Sequence, residues 1–457
     1  MSEQKRYRFD HLESYPDMLS RLFGHPADGP MRVGGNHARD ITIQVTEDCN
    51  LRCTYCYQHA KTPKRMSFET GKKFIDLILA SDERSAKYIQ SRECTGVVFN
   101  FIGGEPLLEI DLISDLTDYT IQRMIELNHP WLFRHMFGIC TNGLLYFEPK
   151  VQEYLKKHHN HLSLTVTVDG NKEIHDTCRL DIAGNGSYDR AIAAANHWYK
   201  TYNKADHEFP TKITISPENL PKISNALIDF VNDESHDINV NYVYENVWNI
   251  DHAKMLYREL KKVADHLLSH DMQDDVRISI LTDPVGEPYT EEHTWCGGNG
   301  LMIAVDPIGD IYPCLRYAPS SVGPAVEKFK IGDVDHGFIY DEVQAERLRC
   351  LSCITRRSQC EKTKHCLNCP IGQGCGDCAA YSYEVFGEVG HRTTYICDMH
   401  KARVLAQLYF KNMAHLKTGL RDPMPNNMPD DWALQIIDKD EWDMLKDLVD
   451  RSMSKPQ

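Results

Sequence analysis

The sequence predicts an α/β protein in which parallel strands are covered by helices, followed by a cysteine-rich C-terminal module. Three observations predict it. Apolar runs of strand length alternate with amphipathic stretches of helix length from Thr42 to about residue 270, and such alternation implies crossover connections between parallel strands. Chemistry-bearing residues recur directly after those runs, at the strand ends where α/β folds place their sites. Ten of the 16 cysteines lie from Cys296 to Cys397, which marks that segment as a separate module held by metal more than by apolar packing.

Length and charge bound the possibilities. A chain of 457 residues can bury a large core and should form about two to three domains. It opens without an apolar signal region, and no apolar run approaches membrane-spanning length. A soluble, cytoplasmic protein with no membrane partner is expected, and its thiols point to metal or redox chemistry in place of a disulfide framework. The formal charge of −15 opposes general nucleic-acid binding, which requires a basic face.

Residues 1–40 are rich in turn formers and read as a short N-terminal cap. Ile41-Thr42-Ile43-Gln44-Val45 alternates like a half-buried strand. It runs into Cys49-Asn50-Leu51-Arg52-Cys53-Thr54-Tyr55-Cys56, a loop with three thiols. Three thiolates on a [4Fe–4S] cube leave one iron without a protein ligand, free to bind something else. A zinc knuckle is the competing reading of this triplet. Ser67 caps a helix through Leu79, and Val97 to Ile102 reads as a buried strand. The alternation continues with helix Leu112–Leu127, strand Met136–Cys140, helix Val151–His158, strand Leu162–Val168, helix Tyr188–Tyr202, strand Lys212–Ser216, helix Leu220–Asn232, strand Ile238–Tyr244 and helix Ala253–Leu268. That makes six strand–helix units. Pattern alone does not separate an open sheet from a barrel.

Motifs follow the strands. Gly103-Gly104-Glu105-Pro106 ends the second, where absent side chains let backbone approach a ligand and the carboxylate can meet an ammonium. Thr141-Asn142-Gly143 ends the third. Asp169-Gly170 ends the fourth and leads to Glu173-Ile174-His175-Asp176, Arg179 and Gly184-Asn185-Gly186-Ser187-Tyr188-Asp189. The bland alternative for Arg179 is a surface salt bridge to Asp176 or Asp181, and His175 is expected to order its loop. Cys94, Cys140 and Cys178 are isolated, and isolated thiols are by default buried and inert.

The CxxxCxxC spacing with aromatic Tyr55, the GGEP segment and the DG…HD…R…GxGSYD run together resemble the radical S-adenosylmethionine (SAM) superfamily. The resemblance implies a partial (β/α)6 TIM-type barrel with its active site at the strand C-terminal ends. It further implies a [4Fe–4S] cluster at Cys49, Cys53 and Cys56 whose open iron chelates SAM. Gly103, Gly104, Glu105 and Pro106 would hold the methionyl amino group, Arg179 the carboxylate and Asp169 the ribose, with Tyr55 and Asn142 as further cofactor contacts.

Downstream, Cys296 and Cys314 flank a hairpin about Asp306 to Asp310, and Cys366-x2-Cys369-x5-Cys375-x2-Cys378 precedes Cys397. This resembles the SPASM domain, a twin-cluster module of peptide-maturing radical SAM enzymes. The resemblance implies two auxiliary [4Fe–4S] clusters, an outer one on Cys366, Cys369, Cys375 and Cys397 and an inner one on Cys296, Cys314 and Cys378. The family spacing before Cys378 is usually three residues, and here it is two. The inner cluster takes its fourth ligand from Cys350, Cys353 or Cys360, or keeps an open iron. A four-thiolate zinc site on Cys350, Cys353, Cys366 and Cys369 is the competing reading.

The implied domains are a cap at 1–40, a barrel at 41–270, a bridging segment at 271–295, the auxiliary domain at 296–400 and a C-terminal helix and tail at 401–457. The implied activity is hydrogen abstraction from a short ribosomal precursor peptide followed by oxidative cross-linking, with thioether formation first among the options. A flavodoxin or ferredoxin would supply electrons. Forty residues before the barrel are too few for a winged-helix leader-binding domain, so leader recognition would use another surface or a separate protein. Sulfatase-maturing relatives carry an acidic base directly after the Cys of the GxxxxC element, where this chain has Leu315. That departure disfavours formylglycine formation unless Asp310 or another carboxylate substitutes. A non-enzymatic iron–sulfur electron carrier or zinc-stabilised interaction module is the remaining alternative, and neither needs the Gly103–Pro106 segment or Arg179.

Overall fold

A computed structural model describes residues 38–80, 96–202, 211–233, 237–288, 298, 302–338, 341–352, 357–358 and 362–454. The expected N-terminal cap up to residue 37 and the thiols Cys94, Cys296, Cys353 and Cys360 lie outside the described residues.

Strands β1 (Ala38–Thr46), β2 (Gly96–Gly103), β3 (His135–Thr141) and β4 (Leu162–Val166) pair in parallel, with Ile43 opposite Phe101, Phe99 opposite Phe137 and Ile139 opposite Leu164. Strand side chains alternate between faces. One face, with Ile41, Ile43, Val97, Phe99, Phe101, Phe137, Ile139 and Leu164, is fully buried beneath helices. Each such side chain contributes roughly 1.5–3 kcal/mol. The covering helices are α1 (Phe68–Leu79), α2 (Ile110–Glu126), α3 (Pro149–His158), α4 (Lys172–Cys178), α5 (Tyr188–Tyr202), α6 (Ile223–Asn232) and α7 (Ile250–Ser269). Ser67 caps α1 as expected, its Oγ accepting from the Thr70 amide at 3.0 Å.

The other face carries Thr42, Asn100, Cys140, Ser163, Thr165 and Lys212, with Cys140, Ser163 and Lys212 exposed. A closed eight-stranded barrel fills its interior with branched aliphatic layers. Here the interior is polar and open, as a partial barrel that admits ligands requires. Strands β5 (Thr211–Ile215), β6 (Asp237–Tyr242) and β7 (Arg277–Ile278) form a second parallel group. Among the described residues the ladder is not continuous from β4 to β5, and the Asp169 carboxylate accepts from the Thr214 amide at 3.2 Å across that joint. Part of the segment expected only to bridge thus belongs to the sheet, through β7.

The expected hairpin forms from β8 (Met302–Val305) and β9 (Asp310–Tyr312), with Gly309 at φ +96° in its turn. The expectation of a separate module held by metal more than by packing is corrected here. β8 pairs in parallel with β1, Ile41 opposite Ile303, and β10 (Gly332–Asp333) and β11 (Gly337–Phe338) extend the same sheet to eight strands. The physical reason is the outer edge of β1, whose unpaired backbone groups need a partner. Ile303, Ala304 and Val305 are fully buried in the common core.

Beyond α8 (Glu342–Ser352) and α9 (Ala379–Phe386), the 22-residue α10 (Cys397–Thr418) packs on α7, and α11 (Lys439–Met453) packs on α10. The tail is docked: Trp442 is 1% exposed, and its Nε1 donates to Asp430 at 3.0 Å.

Candidate active site and cluster sites

Four strand ends converge on the Cys49–Cys56 loop. Past β1 and β2 the backbone pairing continues, with Gly104 N donating to Thr46 O at 2.9 Å and Glu105 N to Asp48 O at 2.8 Å. A Cβ on Gly104 would stand 2.2 Å from the Asp48 oxygen, so only glycine allows this approach. The other side of the loop pairs with the segment after α4, through Arg52 N to Leu180 O at 2.7 Å and Thr54 N to Cys178 O at 3.0 Å. Between these two clamps the three thiols lie near enough to influence one another's ionisation. Burial pushes the Cys53 thiol up to about 11, Arg179 opposes that, and Cys56 and Cys49 add to it. Burial likewise raises Cys49, which also feels the Glu105 carboxylate.

Glu105 is 1% exposed and binds protein, not solvent. Its Oε1 accepts from Thr141 Oγ1 at 2.6 Å and Leu107 N at 3.0 Å, and its Oε2 from Asn142 N at 2.8 Å. The Asn142 amide nitrogen donates to Asn50 Oδ1 at 2.7 Å. The carboxylate therefore ties the Gly103–Pro106 turn to Thr141-Asn142 and, through Asn142, to the cysteine loop.

Asp169 is fully buried, and burial pushes it up to about 6 against the pull of Arg179. One carboxylate oxygen takes the Thr214 amide and the other the Tyr55 hydroxyl. Arg179 Nη1 donates to that hydroxyl at 2.9 Å and lies 3.7 Å from Asp169 Oδ2. Tyr55 thus joins the cysteine loop to Asp169 and Arg179. The salt-bridge alternative for Arg179 is overturned: the residue is 8% exposed, Asp176 caps α5 through Ser187 N and Tyr188 N, and Asp181 pairs with Arg190. Among the described residues Arg179 Nε is buried without a hydrogen-bond partner. An orphaned guanidinium donor beside three thiols fits a carboxylate-bearing ligand of the cluster, which satisfies a planar fork of donors.

His175 orders its loop. It is fully buried, Nδ1 accepts from Asp169 N at 3.2 Å, Nε2 meets Ser187 Oγ at 2.9 Å, and burial holds it neutral, down to about 3. Cys178 is buried, with its thiol 3.7 Å from Ser216 Oγ. Cys140 corrects the expectation of a buried thiol. It is exposed on the interior face of β3, 3.8 Å from Thr167 Oγ1, because strand alternation turns it away from the helices.

In the C-terminal part, Cys366, Cys369, Cys375 and Cys397 line one cavity of about 250 Å³, together with Arg392, His400, Lys401 and Trp432. Arg392 Nη2 donates to the Cys375 and Gly376 carbonyls at 2.7 and 2.9 Å. The Lys401 ammonium lies 5.1 Å from the Trp432 ring centre, and the tail thereby closes this cavity. Among the described residues no three Cys, His, Asp or Glu side chains converge on a single-ion site. The four thiols around this cavity are the donor set that a [4Fe–4S] cube uses. Cys314 and Cys378 stand at the N-terminal ends of the turn Leu315–Tyr317 and of α9, two elements in contact. Cys350 is exposed on α8 and its thiol donates to Glu346 at 3.3 Å. Asp310 is paired with Lys328 at 2.9 Å and Lys330 at 2.8 Å; burial works to raise it, and the two lysines together hold it below the usual range. That makes it a poor general base. Sequence reasoning missed Trp432, His400, Arg392 and Lys401. Only His400 left a signal, its Cys-x2-His spacing after Cys397.

The candidate site is thus a three-thiol loop at the C-terminal ends of parallel strands, followed by a cysteine-rich extension. Residues 43–215 match the family described as the radical SAM superfamily, so the chain carries that domain. A cysteine-type anaerobic sulfatase-maturating enzyme of Clostridium novyi is 30% identical over 163 residues, which are 35% of this chain and 40% of that enzyme. The chain spans about two fifths of the length of that relative and of an uncharacterised Methanocaldococcus jannaschii protein. The radical SAM cyclopropyl synthase TigE of Paramaledivibacter caminithermalis is 19% identical over 391 residues, 80% of this chain and 73% of TigE. Among solved structures, native anSMEcpe with bound AdoMet has the same fold, with a TM-score of 0.55 at 16% identity over 83% of this chain and 100% of that one. No helix among the described residues is long and apolar enough to cross a membrane.

Proposed function

We propose that this protein is a radical SAM peptide maturase. It removes hydrogen from a ribosomally made peptide and completes an oxidative cross-link, most simply a thioether. The observation that carries the reading is the buried Arg179 Nε, without a hydrogen-bond partner among the described residues, on a guanidinium bonded to Tyr55, paired with Asp169 and electrostatically coupled to the Cys53 and Cys49 thiols. Bound to Cys49, Cys53 and Cys56, a [4Fe–4S] cluster with SAM would supply a 5′-deoxyadenosyl radical.

The chain's own residues would orient that chemistry. Arg179 would bind the SAM carboxylate, the carbonyls of Gly103 to Pro106 its ammonium, and Tyr55 with Asp169 would hold the guanidinium in place. The open polar face of β3 and β5, with Cys140 and Lys212, would admit the substrate. The outer auxiliary site would take Cys366, Cys369, Cys375 and Cys397, and the inner one Cys296, Cys314 and Cys378, to accept the second electron from the peptide. Relatives named as a cyclopropyl synthase, a mycofactocin maturase and sulfatase-maturating enzymes support peptide or protein modification as the class. Leu315, and the lysine pairs on Asp310, argue against formylglycine formation. A flavodoxin or ferredoxin is the reductant this chemistry calls for, and another surface of this chain or a separate protein would bind any leader.

The test is anaerobic co-expression of the chain with candidate precursor peptides, followed by mass spectrometry and a 5′-deoxyadenosine assay. A peptide lighter by about two mass units, the loss of two hydrogens on cross-linking, together with 5′-deoxyadenosine, is the expected result. SAM left uncleaved by the reduced, iron-loaded protein would refute the reading.

A further inference from the structure

The cavity lined by Cys366, Cys369, Cys375 and Cys397 holds one donor more than a cube has corners: His400. The residue is 2% exposed. Its Nε2 lies 2.7 Å from the Ile371 carbonyl oxygen, which only accepts, so Nε2 carries the proton and Nδ1 a bare lone pair. Among the described residues that buried Nδ1 has no hydrogen-bond partner. A neutral imidazole with its far N–H tied to a backbone carbonyl is the arrangement that fixes metal-binding histidines in tautomer and orientation. Cys397 and His400 are three residues apart in the first turn of α10, so both leave the same side of the helix, and both line the cavity.

We propose that His400 is an iron ligand of the outer auxiliary site, its Nδ1 sharing with the Cys397 thiolate the corner that faces the first turn of α10. The inference rests on reading this cavity as a cluster site. Where the imidazole takes the corner over from the thiolate, the cluster is less negative by one charge and its reduction potential rises. Arg392 and Lys401, which line the same cavity, act in the same direction. The shared corner makes the outer site tolerant of losing Cys397 in a way the other three thiols do not match.

The test uses the full-length, anaerobically reconstituted and reduced protein carrying 15N-labelled histidine. Pulsed electron paramagnetic resonance should show a strongly coupled histidine nitrogen, absent in His400→Phe. Iron analysis should find about twelve irons per chain in the wild type and in Cys397→Ser, and about eight in the Cys397→Ser/His400→Phe double variant. A wild type holding its full iron without a coupled histidine nitrogen would overturn the inference, and so would Cys397→Ser falling to about eight with His400 intact. The nitrogen coupling is read on the unsubstituted protein, so it does not depend on any variant folding. Failure of the cluster reading itself looks different: the wild type would hold about eight irons or fewer, and Cys366→Ala would remove none.

Discussion

Arg179 concentrates the chemistry at the scale of single residues. Its guanidinium is buried with one donor on the Tyr55 hydroxyl and Nε unpartnered, and a buried donor without an acceptor is a cost that a ligand carboxylate removes. Lysine keeps the charge and loses the planar fork. Arg179→Lys should therefore weaken SAM binding by roughly 10- to 100-fold, about 1.5–3 kcal/mol for hydrogen bonds to a charged group. Iron content should stay at the wild-type level, since Arg179 touches the loop and supplies no ligand. Equilibrium binding of SAM to the reconstituted variant measures this, and an unchanged affinity would remove Arg179 from the cofactor site. Glu105 makes the complementary point: its oxygens are bound by Thr141, Leu107 and Asn142, so it acts through the turn it braces.

Among elements, the decisive contact is between loops. Two backbone clamps, Gly104 to Thr46 on one side and Arg52 to Leu180 on the other, hold the cysteine loop between the end of β2 and the segment after α4. The first clamp depends on the absence of a side chain at Gly104, where a Cβ would meet the Asp48 carbonyl at 2.2 Å. Gly104→Ala should open that junction and lower the iron bound by about four per chain, leaving the auxiliary sites loaded. Iron and sulfide analysis after anaerobic reconstitution checks it, and full loading would show that the clamp does not set the loop. The N-terminal ends of the same strands carry a different chemistry: His135 opens β3 and His161 precedes β4, their rings stacked at 5.4 Å.

For the whole molecule, these buried histidines set an acid limit on stability. Burial pushes His129 and His161 down to about 4, and burial with the neighbouring His161 takes His135 down to about 3. A folded-state pKa below the unfolded value of 6.5 means that the unfolded chain takes up protons first. The stability these groups confer is then complete above about pH 6.5 and is lost as the pH falls toward 4. Protonating a site depressed by about 2.5 units opposes folding by on the order of 3 kcal/mol. Thermal unfolding from about pH 7.5 to 5 should show a falling midpoint, with bound iron followed by visible absorbance to separate this from cluster loss. A flat profile with iron retained would contradict it. The C-terminal tail packs on the same body, with Trp442 buried on the helix that packs against α10 and Trp432 lining the outer cavity.

The strand–helix order, the Ser67 cap, the hairpin about Gly309 and the motif after each strand were all legible in the sequence, because apolar period, capping chemistry and thiol spacing are local properties of the chain. Partnerships across long separations were not. Nothing in the pattern around Ile303 says that it lies beside Ile41, and nothing in Trp432 says that it closes a cavity whose first thiol is Cys366. Strand alternation held the information that Cys140 faces the interior, but only an open, polar barrel turns an interior position into an exposed one. The sequence by itself determined the class of chemistry, since thiolate spacing dictates what a loop can ligate. Only the tertiary structure decided which polar atoms are already taken, the Glu105 and Asp169 oxygens by protein donors and, among the described residues, Arg179 Nε and His400 Nδ1 by none, because hydrogen bonds between distant segments are fixed when the core packs.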